Sequence, residues 1–325
     1  VPVFACVGRE TDSFKMTTGL FIDVLKATIY GDLLQQVRNR TLPYEKQKGS
    51  VNALFAREMA LCKEDIADHN ERYSRFADNI KKITVEFDSI PLNEENEKPR
   101  IGIVGEILAK YHPTANNHLE EVLHDEGAEV VTPDLMDFFM YMAYDDIVKY
   151  KMLDGKWIDK AKSEIFIKVL EFFRKPMCKA LRASKRFTAP YTIKEIAKLT
   201  TPHVSLGNMA GEGWFLTGEM IDLLKTGVDN IVCMQPFGCL PNHVVGKGVF
   251  NRIKTVFHFQ RQFAGPLLSG RQRRMEHVLF GNTDFVFQQL GDDRHMPGIF
   301  KFAAFLPDKQ CACYRRAGRT IRKCL

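Results

Sequence analysis

Apolar residues recur three or four positions apart through the first third of the chain. Between Phe14 and Arg40 this spacing predicts one or two packed helices with an interruption near Gly31. A second helical stretch is predicted from Val51 to Asn79, and the run from Ile83 to Phe87 is typical of a strand. Residues 1–92 are therefore expected to form a partial α/β segment that is mostly helical.

The pattern changes after residues 92–99, which are rich in Asn and Glu and end in a proline. Such a stretch favours a domain boundary. Beyond it, short apolar runs alternate with helical periodicity, which is typical of a parallel sheet. The predicted strands are Arg100–Glu106, Glu129–Val131, His203–Leu206 and Asn230–Met234. The expected fold class is α/β, with a doubly wound, mainly parallel, Rossmann-like or flavodoxin-like sheet in a second domain, residues 99–255.

Helical periodicity fills the intervals between these strands. The predicted helices are Leu119–Glu126, Asp159–Phe173, Ile193–Leu199 and Thr217–Thr226. The aromatic and Met-rich run Asp137–Tyr144 could resemble a cofactor contact, but its spacing favours a buried helix face. Cys178 follows a break predicted at Pro176 and is expected to be structural.

Composition is that of an ordinary globular protein. The chain has 325 residues, 45% hydrophobic and 26% charged, which is enough for two domains. No run approaches the roughly 18 apolar residues that span a bilayer, and the apolar start Val1–Val7, a strand candidate, lacks the basic region of a signal peptide. Eight scattered cysteines favour a reducing compartment, so a cytoplasmic location without membrane contact is expected.

The formal charge of +6 comes from the end of the chain. Residues 261–325 contain nine Arg and three Lys against five acidic residues. Basic tails can bind nucleic acid, but no nucleic-acid motif is present, and no such partner is expected. We interpret residues 256–325 as a divergent basic tail, with a shifted reading frame or a new module as the alternatives. A shifted frame would remove the last strand of the sheet and leave an apolar edge exposed.

A segment rich in Cys, Pro and Gly, Cys233–Gly248, follows the predicted strand Asn230–Met234. In α/β folds the carboxyl ends of the strands carry the ligands. A thiolate pair there, Cys233 and Cys239, could anchor an iron–sulfur cluster. The Cys-x5-Cys spacing fits neither common zinc sites nor the Cys-x-x-Cys redox motif, so Cys233 could equally be part of the apolar core.

Polar residues at the ends of the other predicted strands are candidates to line the same cleft. After the first strand they are Glu106, His112, Asn116 and Asn117, next to a helix amino terminus that favours anions. Simple helix capping is the alternative for the two asparagines, and a surface role for His112. Within the cysteine segment, Gln235 and His243 flank the thiols, and His243 could donate a hydrogen bond to a cluster sulfur or a substrate.

The loop Gly211–Glu212–Gly213–Trp214 is the third part of the expected site. Its Gly-x-Gly follows a predicted strand, but the third glycine of the dinucleotide fingerprint would fall at Leu216, so a nicotinamide site is not expected. A backbone nest here could bind a sulfide cluster or a phosphate through its amides. A tight turn with a packed Trp214 is the alternative.

Four long motifs resemble the 2-hydroxyacyl-CoA dehydratase component family, closest to the carboxyl-terminal part of its proteins fused to an acyl-CoA dehydratase activase. They are CMQPFGCLPNHVVGKG at 233–248, GEGWFLTGEM at 211–220, IGIVGEILAKYHPTANNHL at 101–119 and LPYEKQKGS at 42–50. The resemblance covers roughly residues 1–255. It implies a [4Fe-4S] or double-cubane cluster, with Cys233 and Cys239 as the candidate ligands.

The same resemblance implies partners and chemistry. An ATP-dependent activase, fused or separate, would deliver one low-potential electron; the substrate would be an acyl-CoA; and the chain would pair with a homologous subunit or with itself. The electron would form a ketyl radical from a 2-hydroxyacyl thioester, so that the β proton and the hydroxyl can leave. The alternatives are a cluster-carrying electron-transfer or reductase module without dehydratase activity, and a nonfunctional truncated product, since further cysteine motifs of the family are not found here.

Overall fold

The computed structural model describes residues 17–68, 73–93, 97–228, 230–236, 238–263, 275–280 and 285–290. Ten α-helices are described: α1 Thr18–Thr41, α2 Ser50–Ala67, α3 Tyr73–Asp88, α4 Ile107–Tyr111, α5 Leu119–Asp125, α6 Leu135–Met152, α7 Trp157–Ala183, α8 Ile193–Thr200, α9 Gly213–Lys225 and α10 Gly248–Phe263. The described strands are β1 Arg100–Gly105, β2 Glu129–Val131, β3 Asn230–Met234, β4 Met275–Phe280 and β5 Phe285–Leu290. A 3-10 turn, Leu42–Tyr44, follows α1, and a π-helical turn, Asn242–Lys247, precedes α10. The strand predicted at Val1–Val7 lies outside the described residues.

The described strands form one sheet in the order β2-β1-β3-β5-β4. The strands β2, β1 and β3 are parallel, while β5 and β4 are antiparallel to their neighbours. The α/β prediction is therefore confirmed in its coarse form, as a mostly helical chain with a small three-stranded parallel sheet. The apolar edge that a shifted reading frame would leave exposed is not found at β3, because β5 pairs with it from Ile231 opposite Gln288 to Met234 opposite Phe285.

Several predicted local elements differ from the structure. Helix α1 passes through Gly31 without interruption, since that glycine is exposed and has no neighbour that needs a side chain there. The predicted strand Ile83–Phe87 is wrong: these residues end α3, whose buried residues recur at helical spacing on one face. The predicted strand His203–Leu206 is a turn. Pro176 lies inside α7, which continues to Ala183.

Three apolar clusters organise the molecule. The largest joins α1, α2 and α3 to α6, α7 and α8, and includes Trp214 and Phe215 at the start of α9. A second cluster packs α9 and α10 against one face of the sheet through residues such as Leu216 and Ile253. A third packs α5 on the opposite face through Leu119. The helical body thus draws residues from both sides of 92–99, and the proposed division there stays a prediction.

Candidate functional site

Strands β1 and β3 deliver two loops to one point at their carboxyl ends. The Glu106 amide donates a hydrogen bond of 2.8 Å to the Met234 carbonyl. Gly105 makes this approach feasible: its φ is +130°, and a β-carbon there would lie 2.0 Å from the Met234 oxygen. Only glycine fits this conformation and this contact. The first strand end and the cysteine loop are therefore in direct backbone contact.

Glu212, at the start of α9, ties a third loop to the other two. One of its carboxylate oxygens accepts a hydrogen bond from the Ile107 amide at 3.1 Å, and the other accepts from the Asn242 side-chain nitrogen at 3.2 Å. The same Asn242 nitrogen lies 3.1 Å from the Cys239 sulfur. Glu212 is 6% exposed and Asn242 is fully buried. The result is a buried polar chain, Ile107 to Glu212 to Asn242 to Cys239, that joins all three loops.

The two thiols of the loop occupy different environments. Cys233 is 5% exposed and belongs to the apolar cluster that contains Leu216. Burial, followed by repulsion from Glu219 and Glu212, raises the pKa of its thiol to about 12. Cys239 is partly exposed, at the end of the polar chain. Of these two thiols, Cys239 is therefore the accessible one and Cys233 the buried one.

Unpaired acceptors lie on the same loop. The Gln235 side chain is 5% exposed, and its amide nitrogen lies 2.8 Å from Nε2 of the His243 ring. Its Oε1 and the Oδ1 of Asn242 are buried without a hydrogen-bond partner among the described residues. Asn242 also opens a π-helical turn, a local structure that is frequent at functional sites. Hydrogen bonds thus hold this loop in place, while two of its buried oxygen atoms lack a hydrogen-bond partner among the described residues.

The glycine loop is held by the helical body. Gly213 has a φ of +48°, and a β-carbon there would lie 2.3 Å from the Asn208 carbonyl. Tyr141 donates to the Gly211 carbonyl at 2.9 Å. Trp214 is fully buried, and its indole nitrogen donates to Asp145 at 3.0 Å. Of this loop, Glu212 reaches the cysteine segment through its side chain, while Trp214 packs into the largest core cluster.

The polar residues that follow β1 serve mainly local structure. The Glu106 side chain accepts from the Ala109 amide at 2.8 Å and caps α4. Asn116, 3% exposed, accepts from the Leu119 amide at 3.1 Å, the first amide of α5, while His118 occupies the N-cap position. His112 and Asn117 are exposed, and Asn117 has a φ of +54°. Glu106 alone of these four reaches the three-loop junction, through its backbone amide.

A buried ion pair next to the cysteines was not anticipated from the sequence. Lys110 of α4 lies 2.6 Å from Glu219 of α9, and both side chains are almost wholly buried. The helix was expected to begin at Thr217, which would make Glu219 a first-turn acid. Helix α9 instead begins at Gly213, so Glu219 lies in its second turn. There its carboxylate pairs with Lys110. Asn242 was also missed, because its contacts with Glu212 and Cys239 depend on the fold.

The number of cysteines at the site limits which iron–sulfur cluster the described residues could hold. Cubane clusters are held mainly by four cysteine thiolates. In the part of the chain that the structure describes, no group of three His, Cys, Asp or Glu could hold a metal ion. Cys62 and Cys178 are buried in the helical body, away from the loop. Of the described cysteines, Cys233 and Cys239 therefore remain the candidates on this loop, two thiols where a cubane takes four ligands.

Comparisons with known proteins add no relative. The chain matches no family model, no curated protein and no solved structure. Among the described residues, no helix has the length and apolar character needed to cross a membrane.

Proposed function

We propose that this chain is an iron–sulfur-binding component of a 2-hydroxyacyl-CoA dehydratase-like system. The supporting observation is the buried chain of hydrogen bonds from Ile107 through Glu212 and Asn242 to Cys239. It connects the three motifs, at 101–119, 211–220 and 233–248, that carry the resemblance in this part of the sequence. Long motifs that lie far apart in sequence and meet at one sheet edge are what a shared ligand site requires.

Cys239 and Cys233 are the proposed ligands. Cys239 is accessible to an incoming cluster, and a thiolate there would keep its hydrogen bond from Asn242. Cys233 needs deprotonation in a buried place, which binding to iron would supply, because a coordinating thiol is deprotonated outright. When bound, such a cluster supplies one-electron transfer. The role of the protein is to orient it and to set its potential through burial and hydrogen bonds.

The remaining ligands and the electron source define the proposed partners. Two thiolates leave a cubane incomplete, so we propose that a homologous subunit or a second copy of this chain completes the site, unless residues outside the described ranges do so. An ATP-dependent activase would supply the electron, and an acyl-CoA would be the substrate. Oxygen-sensitive clusters and free cysteines suit the reducing cytoplasm, the proposed location.

The topology around the site forms part of the proposal. The apolar clusters on the two faces of the sheet contain α9 and α10 on one side and α5 on the other. Helices on both faces of a parallel sheet are the mark of a doubly wound fold. We propose that residues 99–255 descend from such a domain, with β2, β1 and β3 as its parallel part.

Anaerobic reconstitution of the full chain with ferrous iron and sulfide tests the proposal. We expect bound iron and sulfide, a sulfur-to-iron absorption band, and an electron paramagnetic resonance signal after reduction. Cys239→Ser and Cys233→Ser should each lower the iron content strongly. Cys178→Ser, at a buried cysteine in the helical body, is the matched control and should retain iron. Equal iron content in all four proteins would overturn the assignment.

Two activities are distinguished once iron binding is established. The loaded protein is incubated with an activase, ATP and a 2-hydroxyacyl-CoA. Formation of the enoyl-CoA supports the dehydratase component. Oxidation and reduction of the cluster without dehydration would instead indicate an electron-transfer or reductase module.

A further inference from the structure

The end of the hairpin formed by α6 and α7 is an exposed tip, residues 149–158. Every residue of this α6–α7 tip is exposed except Gly155. Single apolar residues scattered over a surface are normal. The tip instead gathers several large exposed ones within a few positions: Tyr150, Met152, Leu153, Trp157 and Ile158. Exposed apolar clusters of this kind mark contact surfaces.

Backbone hydrogen bonds hold the tip in one shape. The amides of Leu153 and Gly155 both donate to the Lys149 carbonyl, at 2.9 and 3.2 Å. The chain reverses closely against the end of α6, since a β-carbon at Gly155 would lie 2.5 Å from the Tyr150 nitrogen. The apolar side chains of the tip are therefore carried by a closely packed hairpin.

Lysines separate the apolar residues of the tip. It contains Lys149, Lys151 and Lys156 against one acid, Asp154, and the two charges that follow, at 159 and 160, cancel. Lys149 is paired with Asp146 at 3.1 Å. Within the described ranges, Lys151 and Lys156 take part in no ion pair. The tip is thus both apolar and positively charged.

Helix stability explains the lysines at the end of α6 but not Lys156. Lys149 and Lys151 lie in the last turn of α6, where the helix dipole favours cations. Lys156 is the N-cap of α7, where the dipole disfavours a cation, and its side chain forms no capping hydrogen bond. An anionic surface outside the chain would favour a cation at this position.

The residue types of the tip favour a lipid surface over a protein partner. Lysine is depleted in protein–protein interfaces, and a stable interface takes about 20–30 residues on each side, more than the tip offers. At a membrane surface Trp and Tyr lie at the level of the headgroups, and Lys keeps its charge there while its stem contacts apolar groups. Tyr150, Trp157 and the neighbouring lysines match this pattern.

We propose that the α6–α7 tip docks on the surface of an anionic lipid bilayer. Leu153 and Trp157 enter the headgroup region, and Lys151 and Lys156 contact anionic headgroups. The sequence-based expectation of no membrane contact considered spanning segments and leader peptides, whereas the exposure of the tip is visible only in the structure. The contact is peripheral and does not depend on the proposed iron–sulfur function.

Lipid vesicles test the proposal on the full chain. Vesicles of phosphatidylcholine are compared with vesicles of equimolar phosphatidylcholine and phosphatidylserine, by co-sedimentation and by tryptophan fluorescence. Of the two tryptophans, Trp214 is fully buried and Trp157 is 67% exposed, so a blue shift on binding reports Trp157. We expect this shift with phosphatidylserine, about tenfold weaker binding without it, and weaker binding at high salt. No binding to the anionic vesicles, or equal binding to both kinds, overturns the proposal.

Variants then assign the contact to the tip. Leu153→Ser/Trp157→Ser removes two exposed apolar side chains and should weaken binding to the anionic vesicles about tenfold or more. Lys151→Gln/Lys156→Gln should remove most of the difference between the two kinds of vesicle. Val85→Ser, at an exposed apolar residue of α3, is the control and should bind like the unmodified chain.

Unchanged vesicle binding in both tip variants contradicts the proposal. Analytical ultracentrifugation of the same proteins identifies the other occupant, a second copy of this chain. If the tip variants lose self-association while their vesicle binding is unchanged, the tip is a contact between copies and the proposed lipid contact is wrong.

Discussion

The Lys110 ammonium lies 2.6 Å from the Glu219 carboxylate, and the two side chains are 1% and 3% exposed. The pair joins α4 to α9 close to Cys233, whose thiol pKa responds to both charges. Burial raises the pKa of Glu219 to about 6 in spite of the attraction of Lys110. Each charge of this pair is stabilised by the other, because a buried charge has no water to solvate it when its partner is removed.

Removing one member of the pair should destabilise the fold strongly. Lys110→Met leaves Glu219 as an unpaired buried carboxylate, and we expect the free energy of unfolding to fall by about 3–5 kcal/mol. The double variant Lys110→Met/Glu219→Leu should recover most of this loss. Denaturant titrations measure both. Lys149→Met is the control, since it removes an exposed pair with Asp146 and should lower stability by at most about 1 kcal/mol. A similar small effect at Lys110 would contradict this role.

Two glycine substitutions should have opposite effects. Gly213→Ala places a methyl group 2.3 Å from the Asn208 carbonyl at a φ of +48°, so we expect it to lower the melting temperature and displace the Glu212 loop. Gly31→Ala, within α1 with no atom inside 4 Å of the new group, should stabilise by about 0.5–1 kcal/mol. Thermal unfolding of both variants gives the comparison. A neutral Gly213→Ala would mean that this turn is not as tight as described.

Alkylation should rank the cysteines of the unliganded chain by exposure. Cys239 is partly exposed, whereas Cys62, Cys178 and Cys233 are buried. Burial also raises the pKa of Cys62 and of Cys233 to about 12, so that little thiolate forms. Iodoacetamide labelling followed by peptide mass spectrometry should therefore modify Cys239 well before these three. Faster labelling of Cys233 would show that the strand end opens.

Stability should depend on pH through Asp145, which accepts a hydrogen bond from the buried Trp214. Burial raises the pKa of Asp145 from 3.8 to about 7 in the folded state. Between these two pH values the folded chain holds a proton that the unfolded chain has released. The free energy of unfolding therefore falls as the pH rises, by up to roughly 1.4 kcal/mol for each pH unit.

Asp145→Asn isolates this contribution, because the amide oxygen can still accept from Trp214. The stability difference between the variant and the unmodified chain should grow in favour of the variant from about pH 4 to about pH 7 and then level off. Denaturant titrations across this range provide the measurement. A difference that does not change with pH would show that Asp145 is not shifted.

Strand ends were predictable and several local elements were not. The strands at 100–105, 129–131 and 230–234 follow from apolar runs, and β1 and β3 pair in parallel with Val104 opposite Cys233 and Gly105 opposite Met234. The run Ile83–Phe87 was wrongly predicted to be a strand, because a short apolar run does not distinguish a strand from one face of a helix. Only the packing of α3 against the helical body decides between them.

The sequence does not indicate which side chains of distant elements form hydrogen bonds with each other. Glu212 was expected at the site, but its bonds depend on the fold, which brings Ile107 from 105 positions away and Asn242 from 30 positions away to one carboxylate. From sequence alone Asn116 could be a site residue or a helix cap. In the structure it binds the first amide of α5, at Leu119, while His118 occupies the N-cap position.

Alkylation of Cys239 before and after anaerobic loading with iron and sulfide tests the central claim most directly. The account predicts that Cys239 is labelled in the unliganded chain and is protected once iron is bound, and that protection is lost again when the iron is chelated. If Cys239 remains equally reactive while iron is bound to the protein, then its sulfur does not hold the metal, and the proposed iron–sulfur function is wrong.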